Sequence, residues 1–233
     1  MKLTRRLTAQ IAALVCAGTL TVAQENTGPS TNVAWTIETL NLVRSGDPER
    51  GAALNISLEC ASCHGATGVT QNDTWPSLAG QPAGYTFKVL RDYREHKLSG
   101  THRGELMAYI VAEMSDQDMA DIAAFFALND LPPARAASEN EAAEVLDTLG
   151  DSSRLIPPCS VCHGNKGQGD FPDLPALAGQ SPEFLVRSMM DFKDGGRVND
   201  VYSRMRLIAG ALTDAEIEAL ASYFAAIGTA AQE

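Results

Sequence analysis

Aromatic residues, histidine, cations and long apolar runs are all in short supply in this sequence. Phe, Trp and Tyr make up 6 % of its 233 residues, and histidine occurs four times. So few rings leave small domains short of the apolar volume a core needs, unless something other than side chains fills it. Lys and Arg number 18 against 29 for Asp and Glu, a formal net charge of −11. Such a surface suits neither a nucleic-acid backbone nor an anionic lipid sheet. Beyond the N-terminal segment no run is long or apolar enough to span a bilayer. No alternating stretch predicts a sheet. Five cysteines are too few for a disulfide scaffold of this length.

Four of those five cysteines are already accounted for. They stand in Cys60-Ala61-Ser62-Cys63-His64 and Cys159-Ser160-Val161-Cys162-His163. Cys-x-x-Cys-His is the attachment sequence of a c-type haem. Both cysteines form thioethers to the porphyrin, and the histidine is placed beneath the iron as its proximal ligand. A redox Cys-x-x-Cys pair or half of a zinc site would leave the histidine after each pair unexplained. Two covalent haem c groups are therefore expected, bound through Cys60, Cys63, Cys159 and Cys162, with His64 and His163 on the irons. The fifth cysteine, Cys16, falls in the N-terminal segment, so none remains for a disulfide.

The motifs sit inside a repeat. His64 and His163 are 99 residues apart, and Trp75-Pro-Ser-Leu-Ala-Gly-Gln81 is answered at the same offset by Leu174-Pro-Ala-Leu-Ala-Gly-Gln180. Tyr85 answers to Phe184, Leu90 to Met189 and Asp92-Tyr93 to Asp191-Phe192. Farther on, Ser115-Asp116 answers to Thr213-Asp214 and Phe125-Phe126 to Tyr223-Phe224. A repeat of this length means two copies of a small domain rather than a solenoid. A haem in each copy supplies the apolar volume that the aromatic count lacks.

Each iron needs a sixth ligand, and the alignment of the halves puts Met107 against Met205. A thioether is soft and neutral, favours ferrous iron and raises the potential relative to a second histidine. A lone Met is ordinarily a flexible core filler. Two at matched places, 43 and 42 residues after their histidines, point to ligation instead. Met114 is the competing candidate for the first haem, although its counterpart is Leu212. His96 and His102 find no histidine at the matching places of the second half and read as solvated.

The remaining text reads as helix. Ser115-Asp-Gln-Asp118 and Thr213-Asp-Ala-Glu216 are capping-box starts. Met119, Ile122, Ala123 and Phe126 follow at helical spacing, as do Ile217, Leu220, Ala221 and Phe224, and both stripes are read as core. Gln81-Pro82 and Ser181-Pro182 look like helix entries with proline in the first position. The division expected is a leader over 1–23, a first domain over 24–130, a linker over 131–140 containing Leu131-Pro132-Pro133, and a second domain over 141–233. Paired prolines make the linker short and stiff. Lys2, Arg5 and Arg6, the apolar run Ile11 to Val22 and the small residues ending at Ala23 have the form of a signal peptide cleaved near Ala23. The run is short for a membrane anchor, and Arg5-Arg6 only hints at the twin-arginine route. Cleavage takes the net charge from −11 to −14, which favours partner proteins with basic docking patches.

On these motifs the chain resembles the dihaem cytochrome c4 family. The resemblance rests on both attachment sequences, both Pro-x-Leu-Ala-Gly-Gln segments and both Met-x-x-Ile…Ser/Thr-Asp segments, and spans nearly the whole mature chain. It implies an all-α protein of two tandem class I cytochrome c domains. In each, the carbonyl of Pro76 or Pro175 would accept from the proximal histidine. It further implies pseudo-twofold packing with the haem edges facing each other, and electron transport in the periplasm between redox proteins, commonly toward a terminal oxidase. One departure stands out. Gly46-Asp-Pro-Glu-Arg-Gly51 starts a helix before the first motif, whereas Asn140 to Gly150 stands in its place before the second. Three functions follow: a free carrier without a small-molecule substrate of its own; a cytochrome subunit of a membrane oxidase or a dehydrogenase, such as a flavocytochrome sulfide dehydrogenase; and a haem enzyme. An enzyme needs an open iron position, and matched methionines argue that both are closed.

Overall fold

Ser115 and Thr213 form the caps expected of them. In this computed structural model, which describes residues 34–98, 101–136 and 140–229, each side chain accepts from the backbone N–H three residues on, and Asp118 or Glu216 returns the bond to the cap N–H. The helices so started, α6 (Asp116–Ala127) and α11 (Asp214–Ala226), form the spine of the two halves. Their apolar stripes point inward. Met119, Ile122, Ala123 and Phe126 are buried in one core, and Ile217, Leu220, Ala221 and Phe224 in another. The expected leader and its cleavage near Ala23 lie outside the described residues.

The first half contains α1 (Ile37–Arg44), α2 (Pro48–Ser57), α3 (Cys60–His64), α4 (Ala83–Arg94), α5 (His102–Val111) and α6. The second contains α7 (Glu141–Thr148), α8 (Cys159–His163), α9 (Pro182–Lys193), α10 (Arg204–Ala211) and α11. Helix α2 packs on α6 as α7 packs on α11, and α4 on α6 as α9 on α11. Among the described residues there is no strand, only isolated bridges. The architecture is all-α and tandem.

Where the second half departs from the repeat, a helix forms nonetheless. Asn140 caps α7 by accepting from Ala143 N–H at 3.1 Å. Ala143 and Leu146 are buried in the second core. The helix is shorter than α2, and a single 3-10 turn over Ser152–Arg154 fills the gap before Pro157. A second difference concerns the prolines. Pro182 occupies the first turn of α9 behind the Ser181 cap, but Pro82 is itself the cap residue of α4. The proline has moved one position between the copies, so Ser181 and Pro82 stand at equivalent places. Helix α1 has no counterpart among the described residues of the second half, and no sequence signal marked it.

The halves meet through reciprocal contacts. Gln81 exchanges two bonds with Ala176, and Gln180 two with Ser77. Lys88 of α4 reaches the Asn199 carbonyl, while Arg187, at the matching place on α9, reaches the Thr74 carbonyl at 2.6 Å. Each half thus gives the other what it receives, which is the pseudo-twofold relation the resemblance implied. The start of the linker is pinned rather than merely stiff. Ala134 N–H bonds Thr229 O, Arg135 N–H bonds Ala225 O, and Thr229 N–H bonds Pro132 O.

Candidate haem sites

Each attachment motif is a five-residue helix, α3 or α8, stopped by a glycine at positive φ: Gly65 at 83° and Gly164 at 80°. A side chain is disfavoured there on conformation alone. At Gly65 a Cβ would also fall 2.1 Å from the Val69 carbonyl oxygen. The sharp exit turns the chain back over the histidine. The returning loop is fixed at both ends. Leu78 and Ala79 N–H bond Gly68 O, and Gly80 N–H bonds Phe126 O; Leu177, Ala178 and Gly179 repeat the pattern on Gly167 O and Phe224 O.

That loop holds the proximal histidines. His64 Nδ1 lies 2.9 Å from Pro76 O and His163 Nδ1 lies 2.8 Å from Pro175 O. A carbonyl can only accept, so Nδ1 carries the proton and Nε2 keeps its lone pair free for a metal. Burial pushes both imidazoles below their ordinary pKa, which favours the neutral ring a metal requires. The cysteines stand beside them, half-buried and unpaired with one another. Burial, with Asp147 adding to it, pushes the Cys159 thiol up to about 12, and burial raises Cys60 as well. A redox Cys-x-x-Cys pair works through an acidic thiol, which burial disfavours at Cys60 and Cys159.

One continuous cavity of about 510 Å³ reaches both motifs. Cys60, Cys63, His64 and Met107 line it from the first half, and Cys159, Cys162, His163 and Met205 from the second. The structure therefore brings together all eight residues picked out from the sequence. Met114 also lines it, and so does its counterpart Leu212. Both belong to the buried cores, whereas Met107 and Met205 are only partly buried. The walls are otherwise apolar, with Leu90, Ile110, Phe126, Met189, Ile208 and Phe224 among them. At the junction of the halves they become polar, with Arg103, Arg187, Arg197, Lys88 and Tyr85 alongside Asp173, Asp191 and Asp200. An apolar slot with free imidazole nitrogens at its floor fits a porphyrin, and Arg103, Arg187 and Arg197 are the residues that would pair with its carboxylates. His96 is exposed at the end of α4 and does not line the cavity. The side chain of His102 lies outside the described residues.

Two pairs of residues at this junction escaped the reading of motifs. Gln81 and Gln180 stand in both copies of the repeat, yet nothing in the pattern assigned them a role. Their signal was available: a polar side chain kept in both halves at the end of an apolar segment. Lys88, matched by Arg187, is the second pair. Lys88 is buried against Asp92 at 2.5 Å, and Asn199 Nδ2 donates to the same carboxylate at 2.6 Å.

Comparison with known proteins agrees with this geometry. The protein-family model for cytochrome c matches residues 48–127 and again residues 154–227. A thiosulfate dehydrogenase electron acceptor from Stutzerimonas stutzeri is 38 % identical over 77 % of this chain and 83 % of its own length. Cytochrome c4 of Azotobacter vinelandii is 33 % identical over 70 % of this chain and 82 % of its own. The crystal structure of reduced recombinant cytochrome c4 from Pseudomonas stutzeri superposes with a TM-score of 0.68 at 30 % identity, covering 78 % of this chain and 99 % of that one. With both halves matched in sequence and in shape, the chain belongs to the cytochrome c family, among the dihaem cytochromes c4, and carries electrons on two covalently bound haem c groups.

Proposed function

We propose that this protein is a periplasmic two-site electron relay, which accepts electrons from a dehydrogenase at one haem and delivers them to a second redox protein from the other. The observation that carries it is the single cavity shared by His64 and His163 across a reciprocal interface. Two groups in one apolar enclosure exchange electrons with each other more readily than through solvent. Met107 and Met205 are the sixth ligands in this reading, and Cys60, Cys63, Cys159 and Cys162 carry the thioethers. The leader is removed near Ala23, and the mature chain spans domains over 24–130 and 141–233. The resulting −14 charge selects partners with basic docking patches. Thiosulfate dehydrogenase is the candidate donor, because the Stutzerimonas relative is named for accepting that enzyme's electrons.

The test is stopped-flow reduction by a purified thiosulfate dehydrogenase supplied with thiosulfate. Both haems should reduce, one after the other, at a rate set by protein concentration. Met205→His lowers the potential of the second haem, which then holds an electron poorly, and onward delivery through that domain should slow sharply. Unchanged delivery would remove the second haem from the route. No reduction by the enzyme would remove thiosulfate dehydrogenase as the donor while leaving the relay to other partners.

A further inference from the structure

The peptide group joining Pro76 to Ser77 makes a hydrogen bond from each of its ends. Its carbonyl accepts from His64 Nδ1 at 2.9 Å, and its N–H donates to Gln180 Oε1 of the other half at 2.8 Å. The peptide joining Pro175 to Ala176 does the same, accepting from His163 Nδ1 at 2.8 Å and donating to Gln81 Oε1 at 3.0 Å. The orientation of each glutamine amide follows from its bonds. Gln180 Nε2 donates to Ser77 O at 2.9 Å and Gln81 Nε2 to Ala176 O at 2.8 Å. Reversing either amide would set donor against donor and acceptor against acceptor. Both glutamines are buried, Gln180 at 2 % exposure and Gln81 at 5 %, so water does not compete for these bonds.

We propose that Gln180 sets the potential of the first haem and Gln81 that of the second, each acting across the domain interface through the peptide that holds the other domain's proximal histidine. The proposal rests on reading His64 and His163 as the proximal ligands. An acceptor on a peptide N–H moves electron density toward the carbonyl oxygen, and hydrogen bonds in such a chain strengthen one another by about 10–30 % each. A better carbonyl acceptor draws harder on the Nδ1 proton. The imidazole becomes a stronger donor through Nε2, and the ferric state gains. Docking of the domains therefore lowers both potentials. By reciprocity, oxidation of one haem tightens the grip of the other domain's glutamine. The two glutamines are positioning residues: each bonds the peptide that holds the other half's histidine and acts through that histidine.

The experiment is a redox titration of the purified dihaem protein, with the two potentials assigned to domains by Met107→His and Met205→His. Gln180→Leu deletes both bonds to Ser77. The first haem should shift toward the ferrous state by about threefold in its ferric-to-ferrous ratio at fixed potential, while the second, in the domain that carries the substitution, stays in place. Gln180→Glu keeps an acceptor for Ser77 N–H and makes it anionic, so the first haem should shift the opposite way. Gln81→Leu should shift the second haem alone. A shift confined to the haem of the substituted domain, an equal shift of both haems, or the same sign for Leu and Glu at position 180 would each overturn the proposal, because a loosened interface predicts those outcomes.

The wild-type protein supplies a measurement that does not depend on variants folding. Amide exchange at Ser77 should slow when the first haem is oxidised, and at Ala176 when the second is. Exchange insensitive to redox state would overturn the coupling. A ferric wild-type spectrum without a methionine–iron band would sink the methionine assignments, and amide exchange at Ser77 and Ala176, compared between the fully oxidised and fully reduced protein, would still decide the role of the glutamines.

Discussion

At the scale of single residues two methionines compete for the first haem, since Met107 and Met114 both line the cavity. Burial separates them. Met114 is 6 % exposed within the first core and its counterpart Leu212 3 % within the second, which suits a packing role. Met107→His and Met205→His should each lower one potential and keep covalent attachment, and each should remove part of the ferric charge-transfer band. If Met114→Leu removes the first haem's share instead, the two methionines exchange roles. Lys88 poses a different test. It is 4 % exposed and its partner Asp92 is fully buried, with Asp92 Oδ1 lacking any hydrogen-bond partner. Lys88→Met leaves that buried carboxylate without its cation, and chemical denaturation should show a loss of about 3–5 kcal/mol. Lys88→Met with Asp92→Leu removes both charges and should recover most of it. A single-variant loss below about 1 kcal/mol would mean that water reaches the site.

At the scale of elements, the start of α4 is held against the second half by a glycine. A Cβ on Gly84 would lie 2.0 Å from the carbonyl oxygen of Pro172, whereas the matching residue on α9 is the exposed Glu183. Arg44 of α1 lies over the Phe171 ring at 5.2 Å on the same face. Gly84→Ala should therefore part the halves there, raising the proteolytic sensitivity of the 131–140 segment without removing either haem. Protease resistance equal to wild type would show that the backbone yields.

The second half has its own fastening, in which Arg154 pairs with Asp151 and with both oxygens of Glu216. Bonds from the Ser153 hydroxyl and then Arg154 hold Asp151 down at about 2, from an ordinary 3.8. Arg154 holds Glu216 down at about 2, from 4.5. Folded pKa values below the unfolded ones mean that this support is complete above about pH 4.5 and is lost as pH falls toward 2. Arg154→Met should lower the melting temperature modestly at neutral pH, with the gap to wild type closing as pH approaches 2. A gap independent of pH would mean lost packing of the arginine stem rather than lost charge.

At the scale of the whole molecule, charge and symmetry decide how the protein meets its partners. The chain carries −11 formally, and −14 once the expected leader is gone. Reduction by a basic partner should slow steeply as ionic strength rises, since the screening length is about 10 Å at 0.1 M and shortens further with salt. A flat salt profile with the physiological partner would assign docking to apolar contacts. The two ends of the molecule also differ. Ile56 and Leu155 are exposed at matching places before the two motifs, but Ser62 of the first motif stands where the second has Val161, 71 % exposed. Pseudo-symmetry inside thus coexists with a more apolar surface at the second motif.

Much of this was legible in the chain before any coordinates. Cys-x-x-Cys-His carries its chemistry in a local pattern, because thioether attachment and proximal ligation need three residues on one short turn. The capping boxes at Ser115 and Thr213 and the stripes after them are equally local, which is why α6 and α11 agree with expectation. The repeat did the rest, converting two ambiguous methionines into a matched pair. Helix α1 and the capping of α7 by Asn140 were not legible, since neither repeats. Nor was the interface. Gln81 and Ala176 are 95 residues apart and Gln180 and Ser77 are 103, and a polar side chain at such distance shows its partner only when the backbone has brought the two together. Attachment, fold class and the candidate ligands depend on short-range patterns that each half holds alone. The shared cavity, the Asn199 bonds that close over Lys88 and Asp92, and the bridge from each glutamine to the other half's histidine depend on docking, because each draws its parts from both copies at once.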